Sequence, residues 1–197
     1  MPKLNNIKTE DLTSKQLSTL LETIEKEPNR AAASIMLMAL YTGMRKGEIY
    51  RLQWQHVDFE RGFILIHAPK GGVDQRIPIN TPARNVLEDQ YTRSGNSEWV
   101  FPGRFKGHVK DMREPFERIR TNAGLPKDFR PMHGLRHVFA STLASSGKVD
   151  MYTLQKLLTH KTPAMVQRYA HLRDDAMQRA SEVAEDMYRV MQKKTHA

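Results

Sequence analysis

Four side chains in the last third of the sequence have the types and spacing for chemistry on an anion. His133 and Arg136 lie three apart in the run HGLRH, and His160 stands nine residues before Tyr169. With Gly134 opening a helix, His133 and Arg136 occupy its N-terminal end on neighbouring faces. A helix start of that kind suits an anion. Between His160 and Tyr169, Thr162-Pro163 reads as a second helix start, Thr as cap and Pro at the first helical position. A phenol, two imidazoles and a guanidinium, with no carboxylate among them, describe a site for phosphate rather than for a metal or a carbonyl.

The bulk charge points the same way. The 197 residues carry 31 Lys and Arg against 22 Asp and Glu, a formal charge of +9, which is the electrostatic profile of a nucleic-acid partner. An anionic membrane is the competing partner, but no apolar run approaches the roughly 18 residues of a spanning helix. No cysteine occurs, which excludes disulfides, thiolate chemistry and zinc-finger architecture. The polar N-terminus MPKLNNIKTEDL lacks a signal-peptide core, so a cytoplasmic, nucleoid-associated location is expected.

The elements that must hold these groups follow from periodicity. Residues 1–10 read as a leader or linker, residues 11–173 as one catalytic domain, and residues 174–197 as a C-terminal amphipathic helix and tail. Leu17, Leu20, Leu21 and Ile24 recur at helical spacing after a Thr13 or Ser14 cap. The segment NRAAASIMLMALYTG is apolar nearly all round, marking a helix buried on most sides and stopped by Gly43. Arg45 and Glu48 then stand at the start of a new helix. From Trp54 to Ile79 the period changes to that of three short strands, VDFE, FILIHA and QRIPI, joined by ERG and PKGG turns. Lys70 falls in the second turn. Helices return from Pro82, with Val86 and Leu87 inward. Another helix within 108–124, beginning near Arg113, carries Phe116, Ile119 and Ala123 on one face. In the terminal segment Met177, Ala180, Val183, Ala184, Met187 and Met191 form an apolar stripe. The expected class is α+β, mostly α-helical around a small three-stranded antiparallel sheet.

The ordered set TGMRKGE with Arg45, the turn lysine Lys70, HGLRH with His133 and Arg136, and His160 nine residues before Tyr169 resembles the tyrosine recombinases, the phage and bacterial integrases. The resemblance runs from about residue 11 to 191. It implies the DNA breaking-rejoining fold and site-specific recombination, in which Tyr169 attacks phosphorus to leave a 3′-phosphotyrosine and a free 5′-hydroxyl. Arg45 and Arg136 would hold the phosphate oxygens, since a guanidinium fork grips two oxygens and stays charged. His160 would add a hydrogen bond to a non-bridging oxygen. A phenol of pKa about 10 needs a base or a cationic site, and His133 is the candidate. Lys70 would protonate the departing 5′ oxygen, while Glu48 would orient Arg45. No metal or other cofactor is implied. The partners implied are double-stranded DNA and further copies of the chain, a tetramer on DNA from free monomers, with the terminal helix packing in cis or docking on a neighbour. Such proteins carry an N-terminal domain that closes a clamp on DNA. The chain has no room for one before residue 11, which makes it a fragment or naturally short and predicts weak, salt-sensitive DNA binding.

Plainer readings stand beside these. Arg45 alone would be a surface residue paired with Glu48, Lys70 a solvated turn lysine with Arg76 as rival, and His160 a helix C-terminal histidine. His133 and His137 are four apart, but Gly134 stands where a zincin carries Glu, and Arg136 between them repels a cation. For His137, packing or a hydrogen bond behind the site is expected. The rival functions are a type IB topoisomerase-like relaxase, a non-catalytic DNA-binding accessory module, and a metal-independent nuclease.

Overall fold

The computed structural model describes residues 12–67, 72–160, 162–172, 174, 177, 178 and 181–185. Helix α1 (Ser14–Glu25) starts on a capping box: Thr13 Oγ1 accepts from Gln16 N–H, and the Gln16 side chain accepts from Thr13 N–H. Helix α2 (Arg30–Thr42), capped by Asn29, is the central helix. Its Ile35, Met36 and Met38 are fully buried, each contributing about 1.5–3 kcal/mol of apolar burial. It ends at Gly43, whose φ of 66° is the left-handed conformation that glycine adopts at least cost.

The short helix α3 (Lys46–Tyr50) follows at once, then a 3-10 turn at Trp54–His56 and the strands β1 (Val57–Asp58), β2 (Phe63–Ile66) and β3 (Gln75–Pro78). These pair in the order β1-β2-β3, antiparallel throughout, with Ile64 opposite Val57 and Ile77. The mostly helical α+β expectation and its three-stranded sheet hold. Helix α4 (Thr81–Ser94) is capped by Asn80, whose Nδ2 also donates to the Tyr41 carbonyl at 2.7 Å and so ties α4 to the end of α2. Helix α5 (Arg113–Asn122) buries Phe116 and Ile119.

Helix α6 (Pro131–Ser145) begins three residues before the expected Gly134. Pro131 takes the first helical position, which costs no hydrogen bond there. Gly134 serves close packing instead: a Cβ on it would stand 2.3 Å from the Phe129 ring. Helix α7 (Met151–Leu157) starts on Asp150. The expected Thr162-Pro163 helix is two 3-10 turns, Pro163–Met165 and Gln167–Tyr169, and Thr162 makes no side-chain cap bond.

Two apolar clusters divide the packing. The larger joins α1 to α5, the sheet and the first half of α6. The smaller gathers Ala140 and Ala144 of α6, Leu154 and Leu158 around α7, and Val166 and Tyr169. Helix α6 belongs to both, and Arg136 and His137 lie where they meet. The 1–10 leader, the Lys70 turn, Met187 and Met191 lie outside the described residues. In the terminal segment Met177 and Val183 are exposed. No helix among the described residues is long and apolar enough to cross a membrane.

Candidate active site

Arg45 is the residue from which α3 starts, so its backbone is extended while its side chain is free to turn back over the helix. Glu48, three residues on, fixes that direction. Its Oε2 accepts from Arg45 N–H at 2.8 Å and its Oε1 from the guanidinium at 2.9 Å. The same guanidinium nitrogen donates to the carbonyl of Thr159 at 3.1 Å and to the Thr159 hydroxyl, and that hydroxyl in turn donates to Glu48 Oε1 at 3.1 Å. The Glu48 side chain is 6% exposed, so it acts as a buried bracket on Arg45.

Arg136 is held differently. Its Nη1 donates to the carbonyl of Gly43 and its Nη2 to the carbonyl of Leu158. These carbonyls lie at the C-terminal ends of α2 and α7, where helices leave acceptors without intrahelical donors and where the dipole favours a cation. Two helix ends therefore compensate a guanidinium that is only 9% exposed. Burial, and after it the positive charge of Arg45, still pulls its pKa down to about 10. It remains a cation at neutral pH.

Both arginines face a cavity of about 310 Å³. Lys46 and Arg168 add two more cations to its wall, His133, His137 and His160 three imidazoles, and Tyr169 a phenol. No carboxylate lines it among the described residues. Burial first, then Arg136, Arg45 and Arg168, drives the His160 pKa down to about 3, so this imidazole is neutral. Its Nδ1 is buried without a hydrogen-bond partner. Concentrated fixed cations, a neutral imidazole and an unmatched buried polar atom form a site that an anion would complete. A larger cavity of about 600 Å³ shares Arg45 with it and is lined besides by Glu48, His56, His67 and Trp99. It lacks Arg136, His160 and Tyr169, so the phosphate chemistry belongs to the smaller one.

Tyr169 is 5% exposed, its ring packed in the smaller apolar cluster. Its hydroxyl oxygen lies 2.9 Å from His137 Nδ1. His137 is 5% exposed, one helical turn beyond His133 on α6.

Arg45, His133, Arg136, His137, His160 and Tyr169 thus share one cavity, and Glu48 braces it from behind. Lys70 lies outside the described residues. Sequence reasoning missed Thr159, which sits at a φ of 48° that a β-branched residue rarely adopts. It also missed the Gly43 and Leu158 carbonyls, and Lys46 and Arg168. Only Gly43 carried a signal, as a helix stop. Among the described residues no group of three or more His, Asp and Glu is arranged to hold a metal ion.

Known proteins share this arrangement of elements. The sequence model of the phage integrase family matches residues 10–176. Tyrosine recombinase XerA of Pyrococcus furiosus is 29% identical over 186 residues, covering 93% of this chain and 64% of that protein. The shufflon-specific DNA recombinase of Escherichia coli is 30% identical over 173 residues, covering 87% of this chain and 42% of that protein. The chain therefore spans less than two thirds of either recombinase. Among solved structures, the catalytic domain of bacteriophage HP1 integrase matches with a TM-score of 0.64 at 25% identity, over 87% of this chain and 92% of that one. The family match runs from before α1 to beyond the turn that carries Tyr169, and the chain belongs to the phage integrase family.

Proposed function

We propose that this chain is the catalytic domain of a site-specific tyrosine recombinase that cuts and rejoins double-stranded DNA through a covalent link to Tyr169. The observation that carries this reading is the convergence of Arg45, Arg136, His160 and Tyr169 on one cavity that no carboxylate lines among the described residues. A scissile phosphodiester seated there meets two guanidiniums on its non-bridging oxygens. The pentacoordinate transition state carries more negative charge than the diester, so cations already fixed in place stabilise it selectively. His160, neutral and with an unmatched nitrogen, donates a further hydrogen bond.

The step balances without an external reductant or energy source. Tyr169 Oη forms a bond to phosphorus as the bond from phosphorus to O5′ breaks. The phenol proton passes to an imidazole of α6, His133 or His137, and O5′ takes a proton from a general acid, the role assigned to Lys70. One phosphoester replaces another, so a 5′-hydroxyl from a second duplex can reverse the attack and join new ends. Exchange between two duplexes requires several active sites, which suits a tetramer on DNA formed from monomers. The exposed Met177 and Val183 are in keeping with a terminal segment that packs on a neighbouring copy.

The test is a nicked suicide substrate, from which the short 5′-hydroxyl strand diffuses away after cleavage. A covalent protein-DNA adduct mapped by mass spectrometry to Tyr169, and lost in Tyr169→Phe, is the expected result. Cleaved ends free of protein would mean a nuclease instead. Relaxation of supercoiled plasmid by a strict monomer would mean a topoisomerase, and DNA binding unchanged by Tyr169→Phe with no adduct would mean an accessory module.

A further inference from the structure

We infer that His137, rather than His133, is the group that takes the proton from Tyr169 when the nucleophile attacks, and returns it when the tyrosine leaves. The inference rests on the recombinase reading above and assigns one step within it. His137 Nδ1 lies 2.9 Å from Tyr169 Oη, inside the distance at which a positioned base removes a proton. The two rings stand 5.2 Å apart, tilted by 35°, and both residues are about nineteen-twentieths buried. Bulk water is thus a poor competitor for that proton. The contact joins two elements far apart in sequence, α6 and the 3-10 turn Gln167–Tyr169, so it is not a by-product of local helix geometry.

The surroundings give this pair a dependence on DNA. Charged and titratable groups face it from three sides: His133 and Arg136 on α6, Arg45 and Lys46 at the start of α3 with Glu48 behind Arg45, and His160 and Arg168 beside the tyrosine turn. Moving a proton from phenol to imidazole separates charge, leaving an imidazolium next to Arg136 and a phenolate at Tyr169 whose negative charge passes to the phosphorus centre as the new bond forms. With a phosphodiester bound, the new imidazolium and the phosphate attract, and the pentacoordinate transition state strengthens the attraction. The nucleophile is therefore activated once DNA occupies the site. In the rejoining step the charges reverse their course: the departing Tyr169 oxygen takes back the proton held on His137 Nδ1.

The test follows adduct formation on the nicked suicide substrate in single-turnover mode from pH 6 to 10, with the intact chain. His137→Ala is expected to slow the wild-type rate at pH 7 by about 10²- to 10⁴-fold. Its rate should then climb in proportion to hydroxide until the phenol itself ionises. Difluorotyrosine at position 169, whose phenol is more acidic, should restore much of the lost rate in the His137→Ala background. It should do little in an Arg136→Ala background, where the defect is in phosphate binding. His137→Gln, which keeps a polar group of similar reach, controls for packing, and circular dichroism checks that each variant is folded. His133→Ala is expected to lower the rate while keeping the wild-type pH dependence. The assignment is overturned if His137→Ala keeps the wild-type pH profile, if it forms adduct faster than the parent, if difluorotyrosine gives no rescue, or if His133→Ala shows the steep profile instead. A wild-type protein that forms no Tyr169 adduct sinks the recombinase reading itself, a distinct outcome.

Discussion

The main-chain carbonyl of Gly43 accepts a hydrogen bond from the guanidinium of Arg136, which lies 93 residues further along the chain. Because Gly43 ends α2 in a left-handed turn, its carbonyl points away from the helix and toward α6. One residue thereby stops the central helix, admits the Phe139 ring and anchors a cation at the site.

Gly43→Ala tests that relationship. A Cβ would stand 2.4 Å from Phe139 Cδ1, and the left-handed backbone would cost about 1–2 kcal/mol more for alanine. Overpacking adds about 1–3 kcal/mol. The urea midpoint is expected to fall accordingly, and adduct formation to fall further than stability does, because the Arg136 anchor shifts. A variant with unchanged midpoint and rate would show that the turn is more plastic than its geometry implies.

Glu48→Ala removes the buried bracket on Arg45 while leaving the arginine in place. The loss of a hydrogen bond to a charged group, about 1.5–3 kcal/mol, translates to a fall of roughly 10- to 150-fold in the rate of adduct formation. Thermal unfolding monitored in parallel separates loss of fold from loss of aim.

Arg136→Lys is expected to be far from conservative. One ammonium cannot reproduce a fork that reaches both the Gly43 and Leu158 carbonyls. Lysine also starts near pKa 10.4, and the burial and Arg45 charge that depress Arg136 would depress it in the same direction. The variant should therefore lose its charge as pH rises, so the ratio of its cleavage rate to that of the parent should increase as pH is lowered from 8.5 to 6.5.

His160 makes stability depend on pH with a definite sign. Its folded pKa, about 3, is below the ordinary value of 6.5, so between these values the unfolded chain binds a proton that the folded one does not. Stability from the neutral imidazole is complete above about pH 6.5 and declines as pH falls toward 3. His56, depressed by burial and by His67, acts in the same sense. The slope per group is at most about 1.4 kcal/mol per pH unit and less after solvent screening. Urea midpoints between pH 7 and 4.5 should fall less steeply in His160→Gln than in the parent. Vanadate or phosphate in the cavity should raise the His160 pKa, read by NMR of the imidazole.

Much of this was legible in the sequence because it is local. The Gly43 stop, the Thr13 cap, the Arg45-Glu48 pair at a helix start and the alternation of strands β1 to β3 follow from spacing and from backbone preferences that each short segment carries with it. His133, Arg136, His160 and Tyr169 pointed to phosphate through their chemistry, and Arg45 joined them through the resemblance to the tyrosine recombinases. Tertiary structure decided how they are held. The Gly43 and Leu158 carbonyls have no side-chain signature, and neither has the left-handed backbone of Thr159 beyond the end of α7, where its hydroxyl meets Glu48. His137 and His133 lie on the same helix and look equivalent as letters. Packing of the tyrosine turn against the second half of α6 sets which imidazole meets the phenol, and that distance is a property of two elements in contact, which spacing along one chain does not encode.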